Sequence, residues 1–330
     1  MLLAFAVALA AEGAAPLLKS ATGGRLALPA MVVALVIGIL LHGFAVRPGF
    51  EPGIAYAVKK LLRYAIALLG LRIALGDILA LGAGTVVLVV GAMAATIAGT
   101  VLIARLLGRE SGFGALAGAA NAVCGASATL ATATVVPEYR GKGADIAFTV
   151  VMANAISTVV MLAYPPLCRW LGFDDAATGL MLGITIQDMA QVVGAGYAVS
   201  EPVGNAAVVV KLFRVFLLLP AVLAIGWWFT RQGETTGTAK VPAPIFAIVF
   251  LGLCLVNSVL PATPLAAPYA AIKAILGQAS HWGLLIAIAA LGLGTSIGQI
   301  LAIGWRHVAV FLGGALLILV VGTGGLILLR

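Results

Sequence analysis

The sequence predicts an all-α fold: a polytopic transmembrane helical bundle that forms one integral membrane domain over residues 1–330. Of the 330 residues, 63% are hydrophobic and only 9% are charged, whereas a soluble domain carries about 25% charged residues. The mean hydropathy is +1.18. The apolar runs are too long and too free of alternation for an outer-membrane β-barrel. The 41 glycines fit closely packed and locally unwound membrane helices.

About ten or eleven spans follow if each crossing takes about 20 apolar residues. The segments lie near residues 1–18, 27–46, 54–75, 83–107, 113–134, 144–168, 176–199, 205–230, 242–260, 266–298 and 305–329. Residues 1–18 lack the basic start of a signal peptide and are interpreted as a first span. The longest polar linker, residues 231–244, separates the last three spans from the rest.

Basic residues near the span ends predict the orientation in a cell inner membrane. Loops after the second, fourth and eighth spans hold Arg47, Lys59, Lys60, Arg63, Arg105, Arg109, Arg231 and Lys240. Loops on the opposite side hold fewer, namely Lys19, Arg25, Arg140 and Lys142. Since cytoplasmic loops carry the excess of basic residues, the pattern predicts a cytoplasmic N-terminus.

An internal repeat relates the two ends of the chain. Residues 66–82 and 288–304 are identical at ten of seventeen positions without a gap. The repeat copies extend near 27–107 and 245–329, and an odd number of spans between them predicts inverted repeats. Two polar hairpins near 113–171 and 175–231 form a weaker echo. They are two spans apart, which makes them parallel unless one polar element is re-entrant.

The first polar cluster lies in a segment of small residues and contains Asn121, Cys124, Gly125 and Ser127. One interpretation is a discontinuous helix whose free backbone amides and dipole end face a solute. The other is a Gly/Ala packing helix in which hydroxyl groups bond to their own carbonyls.

The second cluster contains Gln187, Asp188 and Gln191, spaced so that one helical face presents a carboxylate and two amides. An ionisable residue at mid-bilayer depth costs at least ~2.5 kcal/mol, which favours a functional Asp188. The alternative is a buried polar cluster that specifies how the helices pack.

The third cluster is Lys211 and Arg214, which point the same way at a spacing of three residues inside an apolar run. They are interpreted as an anion pocket, as ion-pair partners of Asp188, or as interfacial residues that snorkel. Asn154 is a weaker candidate for lining the core. Glu12 is expected in a loop, and His281 and His307 are expected near span ends.

Other function classes find little support. The three cysteines are far apart with no metal-ligand spacing, so no metal and no cofactor is expected. Zincin and Walker A motifs are absent. A formal G-x-S-x-G at residues 294–298 lies in an apolar helical repeat rather than at a strand-to-helix elbow, so no enzyme activity is expected. Basic residues are not interleaved with aromatic ones, which argues against nucleic-acid binding.

Three motifs carry a resemblance to a known family. Residues 121–128 (NAVCGASA), 186–196 (IQDMAQVVGAG) and 211–220 (KLFRVFLLLP) occur in this order in the YeiH-like family, to which sulfate export is ascribed. The chain resembles that family over nearly its whole length, and residues 64–73 match its third-span pattern. The family commonly has Ile-His-Asp where this chain has Gln187 before Asp188, so a titratable imidazole is lacking here.

The family is distantly similar to the bile acid:sodium symporter and sodium/proton antiporter superfamily. That similarity implies a panel domain, a core domain and two broken helices near the midplane, here the first two clusters. It also implies a possible homodimer.

The residues and the resemblance together predict a secondary transporter in the lipid bilayer. The expected substrate is a small anion such as sulfate or a sulfonate-derived oxyanion, with a proton or sodium as the coupling ion. Asp188 is the candidate for ion coupling, and Lys211 and Arg214 for charge balance or anion contact. The alternatives are a cation/proton antiporter that binds its cation at Asp188 and a membrane sensor or scaffold that transports nothing.

Overall fold

A computed structural model describes residues 1–21, 30–73 except 46 and 48, 76, 82–233, 245–264, 266–294 and 304–329. These residues form helices joined by short turns, with no strand in the described part. The predicted all-α class is therefore correct. Part of the 66–82 and 288–304 repeat and the formal G-x-S-x-G lie outside the described residues, and the inverted repeat stays a prediction.

Sixteen α-helices are described. In chain order they are α1 Leu2–Ala21, α2 Ala30–Leu40, α3 His42–Ala45, α4 Glu51–Tyr56, α5 Leu62–Leu69, α6 Gly82–Leu106, α7 Ser111–Ala122, α8 Ala126–Ala133, α9 Lys142–Trp170, α10 Asp175–Thr185, α11 Met189–Val199, α12 Glu201–Phe216, α13 Leu218–Arg231, α14 Ile245–Val259, α15 Ala266–Gly294 and α16 Trp305–Leu329. A π-helical turn, Ala57–Leu61, joins α4 to α5, and a 3₁₀ turn, Leu260–Ala262, follows α14.

Six helical segments in the described residues are long and apolar enough to cross a membrane. They are Gly82–Leu106, Lys142–Trp170, Glu201–Arg231, Ile245–Ala262, Ala266–Gly294 and Trp305–Leu329. Leu2–Leu17, Ala30–Leu40 and Met189–Val199 are shorter apolar helices. The protein is therefore a multi-pass membrane protein that contacts the lipid bilayer.

The chain divides into two compact units. The first comprises residues 1–80, 193–205 and 244–296, and the second comprises residues 81–192, 206–243 and 297–330. All the predicted site residues belong to the second unit.

In the first unit, Glu12 and His281 lie in the middle of their helices, which corrects the predicted loop and span-end positions. Glu12 is on α1 and His281 is on α15, and the Oε2 and Nε2 atoms are 3.6 Å apart. The loop expectation failed because one acid in a long apolar run does not end a helix.

In the second unit, α7 and α8 form a re-entrant hairpin. A Cβ on Gly112, at the start of α7, would lie 2.5 Å from Cε1 of Tyr139 and 2.7 Å from Cγ1 of Val136. The chain therefore returns after α8 to the level at which α7 began. The first predicted polar element therefore turns back on itself, which favours a re-entrant segment over a crossing one.

The turn of this hairpin depends on Gly125. Its φ of 57° and ψ of −117° lie in a region that residues with a Cβ rarely adopt. A Cβ there would also lie 3.3 Å from the Cβ of Ala153 on α9. The arm α7 packs tightly on α6, because a Cβ on Gly114 would lie 2.8 Å from Cα of Val101.

One end of the second unit, here called the basic end, gathers most of the unit's basic residues. Arg105 donates to Ser111 Oγ at 2.8 Å and to Gln232 Oε1 at 3.4 Å. His307 pairs with Asp145 at 3.0 Å, and the Tyr139 hydroxyl donates to the same carboxylate at 3.1 Å. The described basic residues at this end are Arg105, Arg109, Arg140, Lys142, Arg231 and Arg306. Because the hairpin turns back, Arg140 and Lys142 lie with Arg105, so their predicted place on the opposite side is wrong.

The helix α9 leaves the basic end, and α10 runs back along it from the far end. Cys168 Sγ, near the end of α9, lies 3.0 Å from Met181 Sδ in the middle of α10. Ser157 contacts Gln187 further along. The helices α7 and α10 therefore enter from opposite ends and point at each other.

Labelling of single cysteines tests the re-entrant hairpin. In a chain without Cys124, Cys168 and Cys254, we expect Glu110→Cys and Arg140→Cys to react with an impermeant maleimide from the same side of the membrane. Asp175→Cys is the control, because it follows the full span α9, and we expect it to react from the other side. Labelling of residues 110 and 140 from opposite sides would show a crossing segment instead.

Replacing Gly125 with alanine tests the strained turn. We expect a loss of roughly 1–3 kcal/mol of unfolding free energy from the backbone strain, seen as a lower melting temperature in detergent. Gly143→Ala is the control, because a Cβ there meets nothing within 4 Å, and it should melt at or above the wild-type temperature. Equal melting temperatures of Gly125→Ala and Gly143→Ala would contradict a strained turn at Gly125.

Candidate functional site

Two helix C-termini meet inside the second unit. The helix α7 ends at Ala122, where Val123 leaves helical geometry with φ −118° and ψ −85°. The helix α10 ends at Thr185, because Ile186 is extended with φ −73° and ψ 135°. The last carbonyls of each helix have no intrahelical donor and carry a partial negative charge. Side-chain donors are therefore needed where the two ends meet.

Lys211 donates hydrogen bonds to three backbone carbonyls at these helix ends. Its Nζ donates to the carbonyl of Val123 at 2.6 Å, to that of Ile186 at 2.8 Å and to that of Gln187. An ammonium group has three hydrogens, so its whole donor capacity is used by the two chain breaks.

Arg214 donates to the same two helix ends. Its Nε bonds Ala122 O at 2.9 Å, and its Nη2 bonds Asn121 O at 2.8 Å. Its Nη1 bonds Gly183 O at 2.8 Å and Ile186 O at 3.0 Å. Four of the five guanidinium hydrogens are thereby directed at backbone carbonyls.

Both cations are fully buried, and their partners explain how the fold tolerates them. A cation at a helix C-terminus is stabilised by the partial charges of the carbonyls, and each Lys211 or Arg214 bond satisfies a carbonyl that lipid could not. No salt bridge among the described residues joins Asp188 to either cation. The two cations therefore bind the carbonyls of the helix ends, which none of the three predicted interpretations gave.

Asp188 lies at the opposite kind of helix end. It is the residue before α11, and its Oδ1 accepts from the backbone N–H of Ala190 at 2.9 Å. A carboxylate at this N-cap position is stabilised by the positive end of the helix dipole. Its side chain is partly exposed, and Oδ2 has no protein donor in the described part of the chain. One carboxylate oxygen therefore holds the helix, and the other is open.

A chain of amides connects the two breaks. Gln187 Nε2 donates to Asn121 Oδ1 at 3.0 Å, and Asn121 Nδ2 donates to the carbonyls of Ala117 and Phe311 at 2.9 and 3.2 Å. Ser157 Oγ donates to Gln187 Oε1 at 3.2 Å and accepts from the Asp188 N–H at 3.1 Å. Asn121 and Gln187 are fully buried, so their amides join α7, α9, α10 and α16 rather than face a solute.

Gln191 is different, because one of its polar atoms is unpaired. Its Nε2 donates to Asn154 Oδ1 at 3.2 Å and to Thr158 Oγ1 at 3.4 Å. Its Oε1 is buried with no hydrogen-bond partner in the described residues. A buried acceptor without a donor costs about 1–3 kcal/mol. Asp188 and Gln191 are one helical turn apart, so unpaired oxygens lie on one face of α11.

The remaining residues of the first cluster lie at the start of α8. Cys124 is partly exposed and Ser127 is exposed, and Gly125 forms the turn between them. The first N–H groups of α8 have no partner within the helix. This end of the hairpin therefore offers hydrogen-bond donors, whereas Asp188 and Gln191 offer acceptors.

Sequence reasoning missed Ser157 and Thr158, and it ranked Asn154 low. All three lie on α9 at a spacing of three and four residues, so one helical face carries them. That spacing in the run VVMANAIST was the available signal. Hydroxyl groups in membrane helices usually bond to their own carbonyls, which hid their contacts with Gln187 and Gln191.

Apolar spanning helices, two facing helix breaks and a buried polar centre define a membrane-embedded helical bundle with a transporter-like build. The chain belongs to the UPF0324 membrane protein family, since the family model described as conserved hypothetical protein 698 matches residues 1–311. This membership fits the resemblance to the YeiH-like family.

Several curated relatives are similar over most of their length. The UPF0324 membrane protein TauZ of Paracoccus pantotrophus is 40% identical over 306 residues, which cover 91% of this chain and 88% of the relative. The UPF0324 membrane protein CT0845 of Chlorobaculum tepidum is 36% identical, with 91% and 83% covered. The UPF0324 membrane protein RB0971 of Rhizobium meliloti is 38% identical, with 90% and 86% covered. No solved structure matches the chain.

Replacing the two cations tests their role at the helix ends. We expect Lys211→Met and Arg214→Met each to lower the unfolding free energy by at least about 3 kcal/mol, because three or four buried carbonyls lose their donors. Arg214→Lys keeps the positive charge but loses the planar guanidinium donors. Its unfolding free energy should therefore lie between those of wild type and Arg214→Met. Thermal unfolding in detergent measures this order.

Arg169→Met is the control, because Arg169 is exposed at the far end of α9. It should melt within a degree or two of wild type. If Lys211→Met were as stable as this control while solute binding was lost, Lys211 would be a solute contact rather than a structural brace.

Proposed function

We propose that the protein is a secondary active transporter of a small anion, driven by a coupling ion that binds at Asp188. The observation that carries this proposal is a pair of side chains at the start of α11. Among the residues that the structure describes, the Asp188 carboxylate caps the helix through Oδ1 and has no protein donor at Oδ2, and the buried, unpaired Oε1 of Gln191 lies one turn away. An intramembrane acid without a cationic partner is the usual mark of an ion pathway.

The acceptor atoms support binding of a proton or sodium at Asp188. Oδ2 of Asp188 and Oε1 of Gln191 are oxygen atoms without protein donors in the described residues. Hard cations take carboxylate and amide oxygens as ligands. A cation or proton here would neutralise the carboxylate and satisfy the Gln191 oxygen.

Donor groups at the other break support the anion half of the proposal. The start of α8, with Gly125 and exposed Ser127, offers N–H and O–H groups and the positive end of a helix dipole. Lys211 and Arg214 contribute positive charge from behind the helix ends without direct contact. An oxyanion such as sulfate needs donors of this kind. We also propose that the protein is not an enzyme.

A cation/proton antiporter is the second candidate, and one observation favours it. The donors of Lys211 and Arg214 are taken by carbonyls, so the accessible charged group is the Asp188 carboxylate. Ion-gradient assays without any anion separate the two candidates. A sensor or scaffold would show no flux in either assay.

The basic end supports the proposed placement in an inner membrane, with that end in the cytoplasm. It holds six described Lys and Arg residues, and Arg169 is near the far end. This asymmetry is stronger than the sequence predicted, because Arg140 and Lys142 join the basic end. The positive-inside rule then supports a cytoplasmic basic end.

Replacing Asp188 with asparagine tests the proposal. In proteoliposomes loaded with labelled sulfate, we expect saturable flux that depends on a proton or sodium gradient in the wild type. Asp188→Asn should lower the gradient-dependent flux at least about tenfold, because the amide carries no charge. The amide oxygen can still accept the N-cap hydrogen bond, so α11 should keep its start.

Asp175→Asn is the matched control, since it removes an exposed acid near the start of α10 and should keep wild-type flux. Wild-type flux in Asp188→Asn would contradict the role of Asp188. No saturable sulfate flux under any gradient would contradict the anion substrate and leave the antiporter assay to decide.

A further inference from the structure

An apolar groove lies on the membrane face of the second unit, away from Asp188. One wall is α6 from Val90 to Leu102, and the other is formed by residues 217–228, at the N-cap and along the length of α13. Its volume is about 510 Å³, which is within the range of ligand pockets, about 300–1,000 Å³. Arg105 is the charged residue among the lining residues, and it lies at the basic end.

The groove opens to the surroundings of the spans. Ala94 and Ala98 on α6 and Pro220 and Ala224 on α13 are exposed, so small side chains leave a furrow between bulkier walls. From Val90 to Arg105 the groove runs about 22 Å at 1.5 Å per residue. That length exceeds one leaflet of hydrocarbon, about half of a ~30 Å core. A straight alkyl chain therefore fits along it.

The mouth of the groove is built to receive an anion. Arg105 is exposed, and its Nε and Nη2 are held by Ser111 and Gln232, while Nη1 has no partner in the described part of the chain. Its Cζ lies 5.1 Å from the ring centre of Trp228. Arg231, which precedes Gln232 in the chain, lies over the Trp227 ring at 4.1 Å. An exposed arginine held over an indole ring at the membrane surface suits a phosphate group.

We propose that this groove binds one acyl chain of an anionic phospholipid, with the headgroup phosphate at Arg105 and Arg231. The occupant follows from charge complementarity and from the membrane face on which the groove opens. A neutral or zwitterionic lipid would fill the same furrow but gain less from the two arginines.

The bound chain would touch the re-entrant hairpin. Ala115 of α7 forms part of the groove lining. Ile97 and Val101 line the groove too, and they are the residues against which α7 packs at Gly118 and Gly114, with hypothetical Cβ distances of 3.0 and 2.8 Å. Occupancy of the groove therefore bears directly on the arm of the hairpin that ends at Lys211 and Arg214.

Native mass spectrometry of the full chain in detergent tests the proposal, with phosphatidylglycerol and phosphatidylcholine of identical acyl chains as probes. We expect one tight phosphatidylglycerol per chain, bound about 25-fold more tightly than phosphatidylcholine, because each of two basic contacts at a membrane surface gives about fivefold. Arg105→Gln leaves Arg231 and should reduce that preference to about fivefold. Equal binding of the two lipids by the wild type would overturn the headgroup assignment.

Filling the groove tests its position. Ala98→Phe and Ala224→Phe, from opposite walls, should each lose the tight lipid. Ala95→Phe is the matched control, because Ala95 is exposed on α6 but does not line the groove, and it should keep the tight lipid. Melting temperatures without lipid check that the three variants fold alike. Retention of tight binding in both groove variants would overturn the proposal.

Discussion

The interaction on which the second unit depends is the binding of two helix C-termini by Lys211 and Arg214. Two helices that point at each other with their negative ends repel, and their last carbonyls find no water in a bilayer. Seven bonds from one ammonium and one guanidinium group satisfy these carbonyls. The same bonds explain why two cations can be fully buried in a membrane protein.

This arrangement separates structure from solute binding. The donors of Lys211 and Arg214, which the sequence suggested for an anion, bond to backbone carbonyls instead. Asn121 and Gln187 bond mainly to each other and to neighbouring helices. What remains open is one oxygen of Asp188, the unpaired Oε1 of Gln191 and the start of α8. A substrate or coupling ion at these groups would meet both helix breaks at once, which is what alternating access requires of a central site.

The re-entrant hairpin links the centre to the basic end. Its two arms begin and end beside Arg105, Tyr139 and Asp145, and its tip reaches Lys211. The helix α7 has little freedom against α6, because the backbones are in contact at Gly114. Movement of the hairpin would therefore carry α6 with it, along with the lipid groove that α6 lines.

The sequence by itself determined the all-helical membrane class and the positions of the polar residues, because hydropathy and helical spacing are local properties. It left a broken helix as one of two interpretations at each cluster. It also gave Asp188 as the acid to explain. Only the tertiary structure decided that residues 111–133 turn back, that Lys211 and Arg214 bind carbonyls, and that Glu12 lies inside a helix beside His281. These outcomes depend on hydrogen bonds and contacts at about 3 Å. The residues that make them are some 25 to 270 positions apart in sequence, so only the packing of the helices brings them together.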